Sequence, residues 1–248
     1  MKRFLTLLKN EMKLNIRDMN MVIFAVIMPF MILVILGIIY KMKPAYDGAL
    51  YTFLEQSFGA VCAVSMCAGG LMGLPLLVSD YRERKILKRF RVTPISPTLL
   101  LSVELTVYII YCIISLLILS IAATLFWKVK LHGSLWAFLG SWLLTMLSTL
   151  SIGMMVGGLA KNSKQAGVIA SLLYFPMLVF SGTTLPIEVM PSIMKKIVSC
   201  FPLTQGISLM KSTFLGLTNE NILLPIFVMV GVTVLCTFIA VKFFKWEE

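Results

Sequence analysis

The residues able to do acid–base, nucleophilic or metal chemistry are few in this sequence and widely scattered. A single histidine, His132, stands beside five cysteines: Cys62, Cys67, Cys112, Cys200 and Cys236. Cys62 and Cys67 are not spaced as a CxxC pair, so a zinc site of the usual kind cannot be assembled. An odd number of cysteines, mostly inside apolar stretches, reads as small buried hydrophobes and not as a disulfide framework. Glu55 and Glu104 fall inside apolar runs. A carboxylate in a membrane span is a functional suspect by default, yet each of these lies near the end of its run, within reach of headgroups or water. They are unpaired in sequence and too few for an ion-coupling chain, and one histidine leaves little to activate a nucleophile. No catalytic residue, metal ligand set or cofactor site is therefore assigned. The GxxxxGK[ST] pattern that cradles nucleotide phosphates occurs nowhere.

The elements that must position the remaining candidates are set by composition. Of the 248 residues, 59% are apolar and 13% charged, with a mean hydropathy of +0.95. A soluble globule must still clothe its surface in polar groups, so the natural solvent for this chain is a bilayer. The expected fold class is an all-α polytopic membrane protein, one permease-like domain over 1–248. Its apolar runs predict six spans: 19–40, 52–79, 98–127, 134–160, 165–181 and 221–241. Each is near or above the roughly 20 residues that cross a hydrocarbon core. Pro29, Pro75, Pro176 and Pro225 predict kinks, because neighbouring helices can satisfy the freed carbonyls. With the N-terminus inside, 15 of the 22 basic residues fall on the inner side, which predicts an N-in, C-in protein of the plasma membrane. The net charge of +11 then belongs to cytoplasmic loops and not to nucleic-acid binding. The first apolar run begins too late and is too long for a cleavable signal, and is expected to be retained.

Three segments do not span. Over residues 1–18 and into the first span, Phe4, Leu8, Met12, Ile16 and Met19 recur near helical spacing opposite Lys2, Lys9, Lys13 and Arg17. This predicts an amphipathic interfacial helix, either a topology anchor or a mechanical element. Residues 80–97 follow the second span. Ile86, Leu87 and Phe90 form an apolar stripe on a short, highly charged helix, which Thr93-Pro94 and Ser96-Pro97 terminate. It is a handle for a soluble partner or, alternatively, a basic loop on anionic lipid. Between the fifth and sixth spans, residues 182–212 include the uncharged stretch Ile197 to Met210, too short to cross and interrupted by Pro202 and Gly206. It is expected to form an outer re-entrant hairpin, or else two surface helices. Gly69 with Gly73, and Gly153 with Gly157, are GxxxG pairs that permit close helix approach, within one chain or between two.

The string Arg82-Glu-Arg-Lys-Ile-Leu-Lys-Arg-Phe-Arg-Val-Thr-Pro94 resembles the coupling-helix signature of the type 2 ABC exporter permeases, approximately R-E-K-G-T-L-K-R-L-R-A-T-P. Glu83, Leu87, Lys88, Arg89, Arg91, Thr93 and Pro94 match. Lys85 stands where the family usually has glycine, and Ile86 where it has threonine. A second similar region runs from Tyr174-Phe-Pro176 through Phe180-Ser-Gly182, Pro186 and Pro191 to Phe201-Pro202-Leu-Thr204. The resemblance covers essentially the whole chain. It implies that Glu83, Arg84, Leu87, Lys88, Phe90, Arg91 and Pro94 couple to a cytoplasmic ABC ATPase subunit, present in two copies and holding ATP and Mg. It implies a second permease, the same or related, with the first, second and fifth spans near the central path. Phe24, Phe30, Phe175 and Phe180 are candidate path residues, with packing against lipid as the alternative for each. Gly182, Pro186, Pro191, Phe201 and Pro202 are candidate outer-gate residues. The implied activity is export of a drug, lipid-linked molecule or peptide, with drug or antibiotic resistance among the roles and a bacterial cell membrane as the place. The competing classes are an ion-coupled secondary transporter and, further off, an intramembrane enzyme.

Overall fold

In the computed structural model, residues 2–17, 19–46, 48–85, 97–180, 196–217 and 222–243 are described. They form helices α1 (Lys2–Arg17), α2 (residues 19–40), α3 (Phe53–Glu83), α4 (Pro97–Trp127), α5 (Leu135–Leu159), α6 (Ser163–Phe180), α7 (Pro202–Leu215) and α8 (Leu223–Phe243). Among the described residues the only β-pairing is an isolated bridge between Pro44 and Thr52. Among the described residues, five helices, α2, α3, α4, α5 and α8, are long and apolar enough to cross a bilayer. The expected fifth span is α6, an 18-residue helix that is not among those five.

Burial ranks the spans. The apolar stretch of α3 is 78% buried and that of α5 67%, against 22% for both α2 and α8. The centre of the bundle is therefore α3 packed on α5, with α8 and α7 against α5 and α2 against α3 and α4. Lipid tails are as apolar as leucine, so the bilayer gives helices no hydrophobic drive to associate, and close van der Waals packing through small residues takes its place. A Cβ on Gly153 would fall on the carbonyl oxygen of Gly70, and one on Gly157 would meet Val78 Cβ at 2.9 Å. Gly69 and Gly73 face the Tyr108 ring of α4, with Met21 of α2 beside them. Both glycine pairs are used inside one chain.

Two of the four prolines sit directly after a widened turn. A π-helical turn at Ile23–Ile27 precedes Pro29, and another at Ala68–Gly73 precedes Pro75. A proline ring clashes with the carbonyl four residues before it. In both helices that carbonyl, on Ala25 or Leu71, lies within the widened turn, where bonding has shifted to the i−5 pattern. Pro225 falls in the first turn of α8, where the missing N–H would have had no partner, so no kink is required there. Pro176 is carried inside α6.

Two boundaries differ from those read in the sequence. The second span does not stop at Ser79 but continues to Glu83, because the charged residues of its last turn have partners on neighbouring elements, described below. In the stretch 197–210, Pro202 begins a regular helix, α7, and does not break one. Gly206 lies inside it because Thr145 of α5 occupies the space of its Cβ. The rest of the segment expected as a re-entrant hairpin, 182–195, lies outside the described residues.

Candidate functional site

The last turn of α3 is fixed by two adjacent residues that reach the two sides of the α5–α6 turn. Arg82, 9% exposed, reaches across to α5 and donates to the carbonyls of Gly157, Gly158 and Ala160. Those carbonyls end a helix and have no intrahelical partner, and a helix C-terminus favours a cation. Glu83 accepts a hydrogen bond from the backbone N–H of Ser163 at 3.0 Å, where the N-terminus of α6 favours an anion. The connection between α5 and α6 is completed by Asn162 Oδ1 accepting from the Gln165 N–H and Gln165 Oε1 accepting from the Lys161 N–H. One dipeptide of α3 thus holds the end of one helix and the start of the next. The end of α3 and the α5–α6 turn are fastened to each other.

Arg84 has a weaker part. It pairs with Asp80 at 2.8 Å, but its side chain is 70% exposed, and such surface pairs contribute little. In sequence, Arg82 and Arg84 are both basic residues in one turn of helix, and only the direction of the side chain separates them. Arg82 was legible as an orienting charge, not as a fastening residue. Lys85 follows with φ of +56°, in the left-handed region that favours glycine. The resemblance places glycine at this position, so Lys85→Gly is expected to be tolerated with unchanged melting. Lys85→Val, β-branched in the same conformation, is expected to lower stability by about 1 kcal/mol or more. Thermal melts of both variants test this. Leu87, Lys88, Phe90, Arg91 and Pro94 lie outside the described residues.

Beside this end, α2, α3 and α6 line a half-open cavity of about 760 Å³, with Asn15 of α1 and Tyr108 of α4 contributing to its wall. Pockets for drug-sized ligands fall in this size range. Most of the lining is apolar and much of it adaptable: Met21, Met28 and Met72 with Phe24, Tyr174 and Phe175. The polar residues are Asn15, Asp80 and Ser163. Of the aromatic path candidates, Phe24 and Phe175 line this cavity, Phe30 instead packs partly buried on the core, and Phe180 is the last residue of α6. The methionines carried no spacing signal that separated them from core or lipid-facing residues. Their convergence depends on how α2 crosses α3.

The opposite end of the bundle is tied together by Glu55. Thr52 and Glu55 form a capping box at the start of α3: the Thr52 N–H donates to Glu55 Oε2 at 2.7 Å, and the Glu55 N–H to the Thr52 hydroxyl. Glu55 Oε1 also accepts from the Lys130 N–H at 3.0 Å and lies 3.4 Å from His132 Nε2. The His132 and Gly133 N–H groups donate to the Phe214 carbonyl of α7. Phe58, Phe138 and Phe214 pack in tilted and edge-on ring contacts at this end, and Ser141 and Thr213 share a hydrogen bond of 2.9 Å. Glu55 is thus occupied in holding a helix start and a loop. Thr52→Ala is expected to lower stability by about 1 kcal/mol, read in the same melts. Among the outer-gate candidates, Phe201 and Pro202 form the entry to α7, while Gly182, Pro186 and Pro191 lie outside the described residues. Cys62, Cys67, Cys112 and Cys236 are buried as expected, whereas Cys200 is exposed.

The chain matches the family model described as ABC-2 type transporter over residues 2–215. It is similar to the "Inner membrane transport permease YhhJ" of Escherichia coli (strain K12), 27% identical over 170 residues, covering 68% of this chain and 43% of that protein. It is also similar to "Nodulation protein J" of Rhizobium leguminosarum bv. viciae, 33% identical over 100 residues, covering 40% of this chain and 36% of that protein. The chain thus spans less than half the length of these curated relatives.

Proposed function

The chain belongs to the ABC-2 type transporter family and is a multi-pass membrane protein, and from that premise we propose that it is the membrane subunit of an ATP-driven exporter. In this reading the end carrying α1, Arg82 and Glu83 faces the cytoplasm, α6 is a sixth span, and the chain is N-in and C-in. A separate ATPase subunit, two copies with ATP and Mg, binds the basic loop after Glu83. The single observation that carries the reading is the Arg82–Glu83 grip on the α5–α6 turn. Force applied to the loop reaches three spans at once through it.

The cargo is a hydrophobic or amphiphilic molecule, as the apolar, methionine-rich cavity supports. Exposed apolar side chains on the flanking helices, Phe24, Met31 and Ile35 of α2 with Leu172 and Phe175 of α6, form the face for a second permease. The packed α7 with Phe201 and Pro202 belongs to the outer gate. The test is co-purification with the ATPase. Glu83→Ala combined with Leu87→Ala is expected to abolish complex formation or coupled ATP turnover, and unchanged values for both sink the assignment. The competing reading, an ion-coupled secondary transporter, draws on the buried carboxylates of Glu11 and Glu104. Substrate flux abolished by an uncoupler and indifferent to ATP would select it.

A further inference from the structure

We infer that Glu11, Tyr81 and Glu104 form a buried proton-binding site that fastens α1 to the spanning helices. Three elements meet here: Glu11 comes from α1, Tyr81 from the end of α3, and Glu104 from the second turn of α4. The Tyr81 hydroxyl lies 2.8 Å from Glu104 Oε1 and 3.4 Å from Glu11 Oε2. Glu104 is fully buried, Glu11 is 9% exposed, and Asn15 beside them donates its amide to the Glu11 carbonyl. An apolar cluster adjoins the site, with Leu8 and Met12 of α1, Met21, Val22 and Val26 of α2, and Val107 and Tyr111 of α4.

The hydroxyl carries one proton and can donate to one carboxylate at a time. Glu104 Oε2 is buried and has no hydrogen-bond partner among the described residues. The neighbouring charged groups lie on α1 and at the end of α3. Asp80 turns to Arg84, Arg82 turns to the α5 carbonyls, and Arg3, Lys9, Lys13 and Arg17 of α1 are exposed. Two carboxylates brought onto one donor hydroxyl do not both carry charge at that separation, because like charges so close repel. The pair therefore keeps one additional proton between them. With it, one acid is neutral and Tyr81 donates to the carboxylate that retains the charge.

The sign of the pH dependence follows from linkage. Docked α1 binds this proton more tightly than undocked α1, whose Glu11 is solvated. Docking is therefore complete below the pH at which the site titrates and weakens as pH rises through it. Tyr81 directly precedes Arg82 and Glu83, so loosening α1 also loosens the end of α3 that enters the basic loop. The site requires no assumption about the transported molecule or the energy source.

The experiment is infrared difference spectroscopy on the full chain in phosphatidylcholine nanodiscs, titrated from neutral to alkaline pH, with amide exchange of α1 followed in parallel. The wild type is expected to show a protonated-carboxyl band at neutral pH that disappears on titration, with α1 exchange, corrected for its intrinsic rate, rising through the same midpoint. E104Q is expected to lose the band and to make α1 exchange independent of pH. E11Q, which gives Glu104 an amide donor, is expected to lower the midpoint, and Y81F, which removes the shared donor, to raise it. The last two keep the inference testable if E104Q fails to fold. No protonated band in the wild type, an undiminished band in E104Q, shifts of the opposite sign in E11Q or Y81F, or α1 exchange indifferent to pH would each overturn it.

Discussion

Arg82→Ala is expected to lower stability by about 3 kcal/mol, the cost of leaving buried end-of-helix carbonyls on α5 without their charged donor. Arg82→Lys should recover part of the loss, since an ammonium restores the charge at the helix C-terminus but not the planar fork of donors. Thermal melts in nanodiscs read the first effect, and coupled ATP turnover reads its consequence. Under the proposed function, movement of the basic loop would then no longer displace the α5–α6 turn, so turnover is expected to uncouple from transport even where the ATPase still binds. Arg84→Ala is the control, because its exposed pair with Asp80 contributes little. Equal melting of the Arg82 and Arg84 variants would remove Arg82 from its fastening role.

Gly153→Ala is expected to be the most damaging substitution of a single methyl group. The new Cβ would occupy the position of the Gly70 carbonyl oxygen, and that neighbour is backbone and not a flexible side chain. The two most buried spans would have to separate, at about 3 kcal/mol or more, the upper end of what overpacking costs. Gly140 and Gly231 give the opposite outcome, since nothing lies within 4 Å of a Cβ built at either. Gly140→Ala and Gly231→Ala should be neutral or stabilising by up to about 1 kcal/mol, the helix preference for alanine over glycine. Folded yield and melting temperature of the three variants decide it. A Gly153→Ala protein that melts with the wild type would mean that α3 and α5 do not cross at this point.

The starts of the spans were legible because a helix start has a local cause. Thr52 and Glu55 at capping-box spacing, and apolar runs long enough to cross, fix α3, α4, α5 and α8 to within a few residues of their observed starts. The end of α3 was not legible. A run of Asp80, Tyr81, Arg82 and Glu83 looks like a loop, and it is helix because Arg82 and Glu83 find α5 and α6, while Tyr81 finds carboxylates on α1 and α4. Pro202 misled for a related reason. A proline in an apolar stretch reads as a break unless it is known to occupy the first turn of a helix, where it is favoured.

The candidate site divides in the same way. Phe24 and Phe175 were singled out in sequence and do line the cavity, but Met21, Met28 and Met72 were not, since methionine in a span has no periodicity that marks it as lining. Glu55 and Glu104 were equal suspects in sequence. The structure occupies Glu55 with Thr52 and the backbone of Lys130, and buries Glu104 beside Glu11, a residue more than 90 positions away that sequence had placed on a surface helix.

What the amino-acid sequence determines by itself is the solvent and the distribution of charge. An apolar content of 59% demands a bilayer, and the basic residues of α1 and of the segment beginning at Arg82 mark one end of the bundle, because hydropathy and charge are properties of composition along the chain. The tertiary structure alone decides what the small and charged residues are for. Gly153 is spent on Gly70 of the same chain, Arg82 on α5, and Glu104 on a neighbour from α1. Each of these depends on which helix lies opposite, and spacing along one helix carries no record of its partner.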